Sequence, residues 1–223
     1  MKKIRLIFFT LLSYLSNVFF LSSAPGNVKS NRPNVLFIMA DDCTYNEIGC
    51  YGGKNARTPN IDKLSEEGIM FNRAYVGMSM SVPCRHELYT GLYPLESGCV
   101  WNHSQSRPGT KSVFHYLNDL GYRVGLTGKK HVQPRDVFPY IAVPGFEENC
   151  VLAKEKKEDL SGIKSFMEKD RNQPFCLFVC STSPHAPWTL GDASAYPPEK
   201  LILPLHWEIR LRCGRHIRAI WQK

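Results

Sequence analysis

Apolar residues along this chain come in short bursts separated by charged and turn-forming stretches, and the period within each burst predicts an element. The run Asn34-Val-Leu-Phe-Ile-Met-Ala40 is too short to cross a membrane and rich in β-formers, so it predicts a buried, parallel strand. Thr58 to Gly68 offers an N-cap, a proline at the first helical position, Ile61 and Leu64 three apart, and a closing glycine. Those signals predict a short helix. Helix followed by strand then recurs twice. Ser112 to Leu120, closed by Gly121, precedes Tyr122 to Thr127, and Ser161 to Lys169 precedes Phe175 to Ser181. Strands alternating with helices predict an α/β fold with a mostly parallel sheet flanked by helices. The chain has no internal repeat and no low-complexity tract.

The predicted strands run into chemically distinctive residues. The first ends in Asp41-Asp42, the second in Gly128-Lys-Lys-His131 and the third in Ser183-Pro-His185. In open α/β sheets ligands bind beyond the carboxyl ends of the strands, so carboxylates, a lysine and two histidines are expected along one edge.

Composition narrows the picture. With 223 residues, 43% of them hydrophobic and 12% aromatic, the chain is globular, with one domain as the default. The formal net charge of +8 suggests a nucleic-acid binder until its distribution is inspected. Lys2, Lys3 and Arg5 lie at one end and Arg210, Arg212, Arg215, Arg218 and Lys223 at the other, so the middle is nearly neutral. No nucleic-acid partner is expected. Residues 1–24 read as a secretory signal, with a basic start, an apolar stretch from Leu6 to Leu21, and small residues at Ser22, Ser23 and Ala24. Export to the periplasm or the extracellular space follows, with no stable membrane insertion after cleavage; residues 25–31 read as a linker. Eight cysteines at scattered spacings form no paired framework, and several read as small core residues.

Asp41 and Asp42 are adjacent carboxylates, which are costly side by side unless a cation or strong donors offset them. A hard cation such as calcium or magnesium suits all-oxygen ligands, and a turn or helix cap accounts for the pair equally well. The segment Met80-Ser-Val-Pro-Cys-Arg-His-Glu-Leu-Tyr-Thr-Gly91 is more specific: Ser81, Pro83 and Arg85 stand at i, i+2 and i+4, followed by Leu88, Thr90 and Gly91.

This segment resembles the signature of the formylglycine-dependent sulfatases, in its serine-type form. Arg32-Pro-Asn-Val through Asp41-Asp42, Ile48-Gly-Cys-Tyr-Gly52, Thr58-Pro-Asn-Ile-Asp62 with Glu67-Gly68, and Gly128-Lys-Lys-His131 also resemble that family, in order, over residues 32–207. The Gly-Lys-Lys-His form, followed by Val132, Pro134, Val137 and Pro139 and then Glu147-Glu148-Asn149, looks most like the sulfamidase (heparan N-sulfatase) branch.

The resemblance implies an alkaline-phosphatase-like sheet, a sulfated saccharide as substrate, and a sulfuric ester or sulfamate hydrolase. It also implies a maturase that oxidises Ser81 to formylglycine, with Cys84 not the precursor. One hydroxyl of the hydrated aldehyde would attack sulfur as the alcohol or amine leaves, and the other would then lose its proton and expel sulfate, regenerating the aldehyde. By the same resemblance Asp41, Asp42 and position 81 bind calcium, or magnesium, and Arg85 supports the modified residue. Lys129 neutralises sulfate charge and binds substrate, His131 acts as the base, and His185 binds substrate and protonates the leaving group. His103 is a further substrate contact, whereas His115 and His206 read as structural.

Sulfatases of this kind resemble chains roughly twice as long, beyond one small domain. Their second half carries an Asp-Asn pair of metal ligands, and no Asp-Asn dipeptide follows His185 here. Residues 32–207 are therefore expected to form a partial catalytic domain with little or no activity by itself. Residues 208–223 turn abruptly Arg-rich without apolar periodicity. Permitted codons for them, read in a shifted frame, return D-T-P-E-V-R-E-T-Y-P-S-Y-L-A-E, text similar to the family, so a frameshifted basic tail is expected. Two alternatives stand beside the sulfatase reading. One is a non-catalytic fragment or sulfated-glycan binder. The other is a phosphate-type hydrolase using unmodified Ser81.

Overall fold

The computed structural model describes residues 32–154, 158–190 and 192–202; the expected signal at 1–24, the linker at 25–31, His206 and the tail at 208–223 lie outside the described residues. Four strands, β1 (Val35–Asp41), β2 (Arg123–Gly128), β3 (Ile141–Ala142) and β4 (Phe175–Pro184), form one sheet in the order β1-β4-β2-β3. Every pairing in it is parallel, as the alternation of helices and strands predicts. The helices are α1 (Pro59–Glu67), α2 (Ser81–Thr90), α3 (Pro94–Ser97), α4 (Val113–Asp119) and α5 (Ser161–Glu168). Among the described residues no helix is long and apolar enough to cross a membrane.

The central strand β4 is apolar on both faces because both faces are covered. Cys176, Phe178 and Cys180 point into a core shared with Tyr89 of α2, Phe114 of α4, and Val124 and Leu126 of β2. Phe175, Leu177 and Val179, one residue out of step, pack with Phe166 of α5 and Val143. The first core is aromatic: Phe114 lies 4.8 Å from Phe178 and 5.1 Å from Tyr89, ring centre to ring centre. Burying each such ring contributes about 1.5–3 kcal/mol, so these few side chains bind α2 and α4 firmly to the sheet. On the other face a Cβ at Gly125 would stand 2.6 Å from the Phe166 ring, and the missing side chain is what lets α5 sit close.

Two expectations need correction. Strand β1 is parallel, but it is not buried. Among the described residues it pairs with β4 alone, and although Phe37 and Met39 pack on the aromatic core, Leu36 and Ile38 on the other face are 49% and 69% exposed. A run of apolar residues reports that a strand can be covered on both faces, not that the described chain supplies the cover. Helix α1 forms as expected, but Thr58 does not cap it in the usual way. Its hydroxyl accepts the N–H of Gly49 at 2.8 Å and donates to Asp62, while Ile61 and Leu64 remain exposed.

Candidate active site

All three predicted strand ends meet at one edge of the sheet, and α2 delivers a fourth contribution. Ser81 is the first residue of that helix, with Met80 in extended conformation before it and Gly91 at φ 70 closing it. Pro83 is tolerated because the first-turn N–H groups have no intrahelical partner to lose. Arg85, one turn after Ser81, shares its face of the helix. The Ser-x-Pro-x-Arg spacing is thus a helix start that aligns a hydroxyl and a guanidinium. The N–H of Val82 is satisfied from outside the helix by the Asn102 side-chain oxygen at 3.1 Å.

Asp41 is the hub. Its Oδ1 accepts Arg85 Nη2 at 3.1 Å and the Ser81 hydroxyl at 3.2 Å, and its Oδ2 accepts Lys129 Nζ. Lys129 Nζ also stands 3.4 Å from Ser81 Oγ. Burial alone would raise the Asp41 carboxyl, but Lys129 and Arg85 outweigh it and hold the group below its ordinary range. Asp41, Arg85 and Lys129 are all at least 96% buried, so one carboxylate faces two buried cations. The cluster therefore carries a surplus positive charge at the N-terminus of α2, where the helix dipole adds to it.

The neighbouring carboxylate goes elsewhere. Asp42 takes a left-handed backbone (φ 58), and its Oδ2 lies 3.6 Å from His185 Nε2. This divergence relieves the like-charge conflict expected of adjacent aspartates. His185 bonds the Ala186 carbonyl through Nδ1 at 2.6 Å, so that nitrogen is the donor and Nε2 is the one turned toward the edge. The Trp188 indole folds back to donate to the Pro184 carbonyl at 2.8 Å, beside His185.

Gly128 explains how Lys129 enters the cluster. It adopts φ 80, and a Cβ there would meet the Cys180 carbonyl oxygen at 2.0 Å. The bare turn brings Lys129 N–H to that carbonyl at 2.9 Å and sends the side chain inward. Lys130 turns outward to an ion pair with Glu148. His131, also left-handed (φ 47), stays exposed as a residue, yet its ring is lowered to about 4, by desolvation first and then by the Lys129 and Arg85 charges. It is neutral at physiological pH and free to accept a proton.

The predicted residues Asp41, Ser81, Arg85 and Lys129 are bonded to one another, with Asp42 and His185 forming an adjoining pair. His103 follows the capping Asn102 at φ 72 but takes no part in these bonds, and His115 serves the N-terminus of α4, where its Nδ1 accepts the Ser112 N–H at 3.2 Å. Several residues escaped the sequence reading: Asn102, Trp188, and Glu87, whose carboxylate grips the N–H of Gly77 at 2.9 Å and so anchors the approach to Ser81. Gly128 stood in the Gly128-Lys-Lys-His131 stretch from the start, and the structure adds the left-handed turn that it makes there.

The donor chemistry near Ser81 fits a hard divalent cation in kind. Asp41, Asp42 and Ser81 offer oxygen only, the set such ions prefer. It is partial in number: among the described residues no three His, Cys, Asp or Glu side chains gather to hold a metal, and Lys129 and Arg85 neutralise Asp41.

The family profile named Sulfatase matches residues 33–200. Over 159 residues the chain is 37% identical to the ulvan-active sulfatase of Formosa agariphila, a match covering 70% of this chain and 31% of that protein. It is 30% identical to human N-sulphoglucosamine sulphohydrolase over 72% of this chain and 33% of that one. The chain thus spans about a third of the length of the curated relatives it matches. In three dimensions it resembles BT4656, solved with its substrate D-glucosamine-2-N,6-O-disulfate, with a TM-score of 0.59 and 25% identity over 72% of this chain and 36% of that one. The phosphonate monoester hydrolase of Agrobacterium radiobacter shares the fold, with a TM-score of 0.57 at 21% identity, over 74% of this chain and 45% of that one.

Proposed function

The chain belongs to the sulfatase family, and from that premise we propose that it is the nucleophile-bearing part of an exported hydrolase of sulfated sugars, with Ser81 converted to formylglycine. The observation that carries this reading is the buried cluster in which, among the described residues, the Asp41 carboxylate faces both Arg85 and Lys129 beside the Ser81 hydroxyl. A surplus of buried positive charge at a helix N-terminus suits an anionic group such as sulfate.

Each side chain then has a task its surroundings support. Lys129 and Arg85 balance the sulfate oxygens as charge builds on them, and Arg85 also fixes Asp41. His131, kept neutral, takes up a proton from the residue at position 81. His185 holds Nδ1–H against the Ala186 carbonyl, so Nε2, when it carries the ring's second proton, is placed to protonate the departing oxygen or nitrogen. Asp41, Asp42 and position 81 would hold the divalent cation that the family generally uses, calcium or magnesium. That ion, when bound, acidifies a hydroxyl. A sulfated glucosamine is the substrate class, by similarity to the human sulphohydrolase and to BT4656. The leader-like 1–24 segment supports export.

Peptide mass at Ser81, measured after co-expression with a formylglycine-generating maturase, tests the reading. Oxidation of serine to the aldehyde removes two hydrogens, about 2 Da. A peptide that stays at the serine mass under those conditions would overturn it.

A further inference from the structure

Three hydrogen bonds close a ring around His86, a residue the reading above does not use. Its imidazole is fully buried in α2. The N–H of Gln133 donates to Nε2 at 3.3 Å, so the proton of the neutral ring sits on Nδ1, which donates to Ser106 Oγ at 2.6 Å. The N–H of Ser106 in turn donates to the Gln133 carbonyl at 2.9 Å. Phe138 packs edge-on against the ring at 4.8 Å. Three segments are tied together in this way: the helix that starts at Ser81, the loop around Ser106, and the turn that follows Lys129 and His131.

We propose that His86 is a positioning residue, which as a neutral imidazole protonated on Nδ1 holds the Lys129–Gln133 turn in place against the helix bearing Ser81. The proposal rests on the reading of Lys129 as a side chain that meets sulfate and of His131 as the base beside position 81. Gln133 stands two residues after His131 and four after Lys129, so a turn released at Gln133 frees both. A neutral imidazole, with one acceptor and one donor, satisfies both partners here, and an apolar ring of similar size strands a buried N–H and a buried hydroxyl. Burial lowers the imidazole to about 4, which keeps it neutral at physiological pH. Among the described residues, the hydrogen-bond and aromatic partners of its ring are Ser106, Gln133 and Phe138, none of them charged.

Replacement chemistry separates positioning from packing. In His86→Gln the amide oxygen reaches the place of Nε2 and accepts the Gln133 N–H, whereas His86→Asn reaches only Ser106 and His86→Phe fills the space without either bond. The full chain, isotope-labelled, is compared in two ways. One is amide exchange at Gln133 relative to Leu177 in β4; the other is affinity for inorganic sulfate, followed through the His131 ring resonances. His86→Gln should behave like the unaltered chain. His86→Asn and His86→Phe should speed Gln133 exchange about tenfold relative to Leu177, the loss of one buried hydrogen bond, and weaken sulfate by a similar factor. A His86→Phe chain that matches the unaltered one, or a His86→Gln chain as poor as His86→Phe, overturns the proposal. Should a variant fail to fold, the ring nitrogens of the unaltered chain still decide: a proton on Nε2 at neutral pH sinks it. If sulfate fails to bind the unaltered chain, the functional reading fails, while the exchange comparison still judges His86.

Discussion

Arg85 reaches across the carboxyl end of the sheet to Asp41, Nη2 to Oδ1 at 3.1 Å, with only 2% and 4% of the two side chains exposed. Lys129 occupies the other oxygen of the same carboxylate, so a single anion organises two buried cations and the Ser81 hydroxyl. Removing that anion and removing its exposed neighbour are therefore very different changes.

Asp41→Asn should cost about 3–5 kcal/mol in urea unfolding, because it leaves Arg85 and Lys129 buried without their counter-charge. Asp42→Asn should cost less than about 1 kcal/mol, since that side chain is 56% exposed and its partner His185 is half-buried. The Asp41 carboxyl is held below its ordinary 3.8, so its contribution is intact above that pH and is lost as pH falls below it. Equal losses in the two variants would contradict the hub role of Asp41.

Acid should weaken the fold through His86 at a milder pH. The folded ring is lowered from 6.5 to about 4, so below 6.5 the unfolded chain binds a proton that the folded chain refuses. Stability from this group is complete above 6.5, declines between 6.5 and about 4, and in total amounts to about 3 kcal/mol. Urea unfolding across that window should show a slope that His86→Gln flattens. An unchanged slope in the variant would assign the pH dependence to other groups.

Gly128→Ala should cost more than Gly109→Ala, although both glycines have φ 80. The left-handed backbone costs each alanine about 1–2 kcal/mol. Only at position 128 does the new Cβ meet a carbonyl oxygen, at 2.0 Å, while at 109 nothing lies within 4 Å. The excess should appear as a lower unfolding temperature for Gly128→Ala, together with weaker sulfate binding as Lys129 is displaced. Matching temperatures for the two variants would show that the turn yields without strain.

Much of this protein was legible along the chain, because the signals involved are local. Helix-strand alternation is a matter of period and capping residues within a dozen positions, and it yielded a parallel sheet and three chemically loaded strand ends before any contact was known. The Ser81, Pro83 and Arg85 spacing likewise singled out the segment that the fold brings to Asp41 and Lys129. Its helix, α2, went unpredicted, and the reason is physical. The face it buries is Val82, Pro83, Arg85, His86 and Tyr89, in which two charged or polar side chains replace the apolar stripe that period analysis needs.

What the sequence by itself determined is therefore the alternation of the main strands and helices, the family, and which residues could do chemistry. Tertiary structure decided how they are partnered. It turned Asp41 inward to Arg85 and Lys129 and Asp42 outward to His185, left the far face of β1 bare, and made His86 a strut rather than a catalyst. Those outcomes depend on burial and on polar contacts between residues from 20 to 143 positions apart, and local propensity carries no information about either.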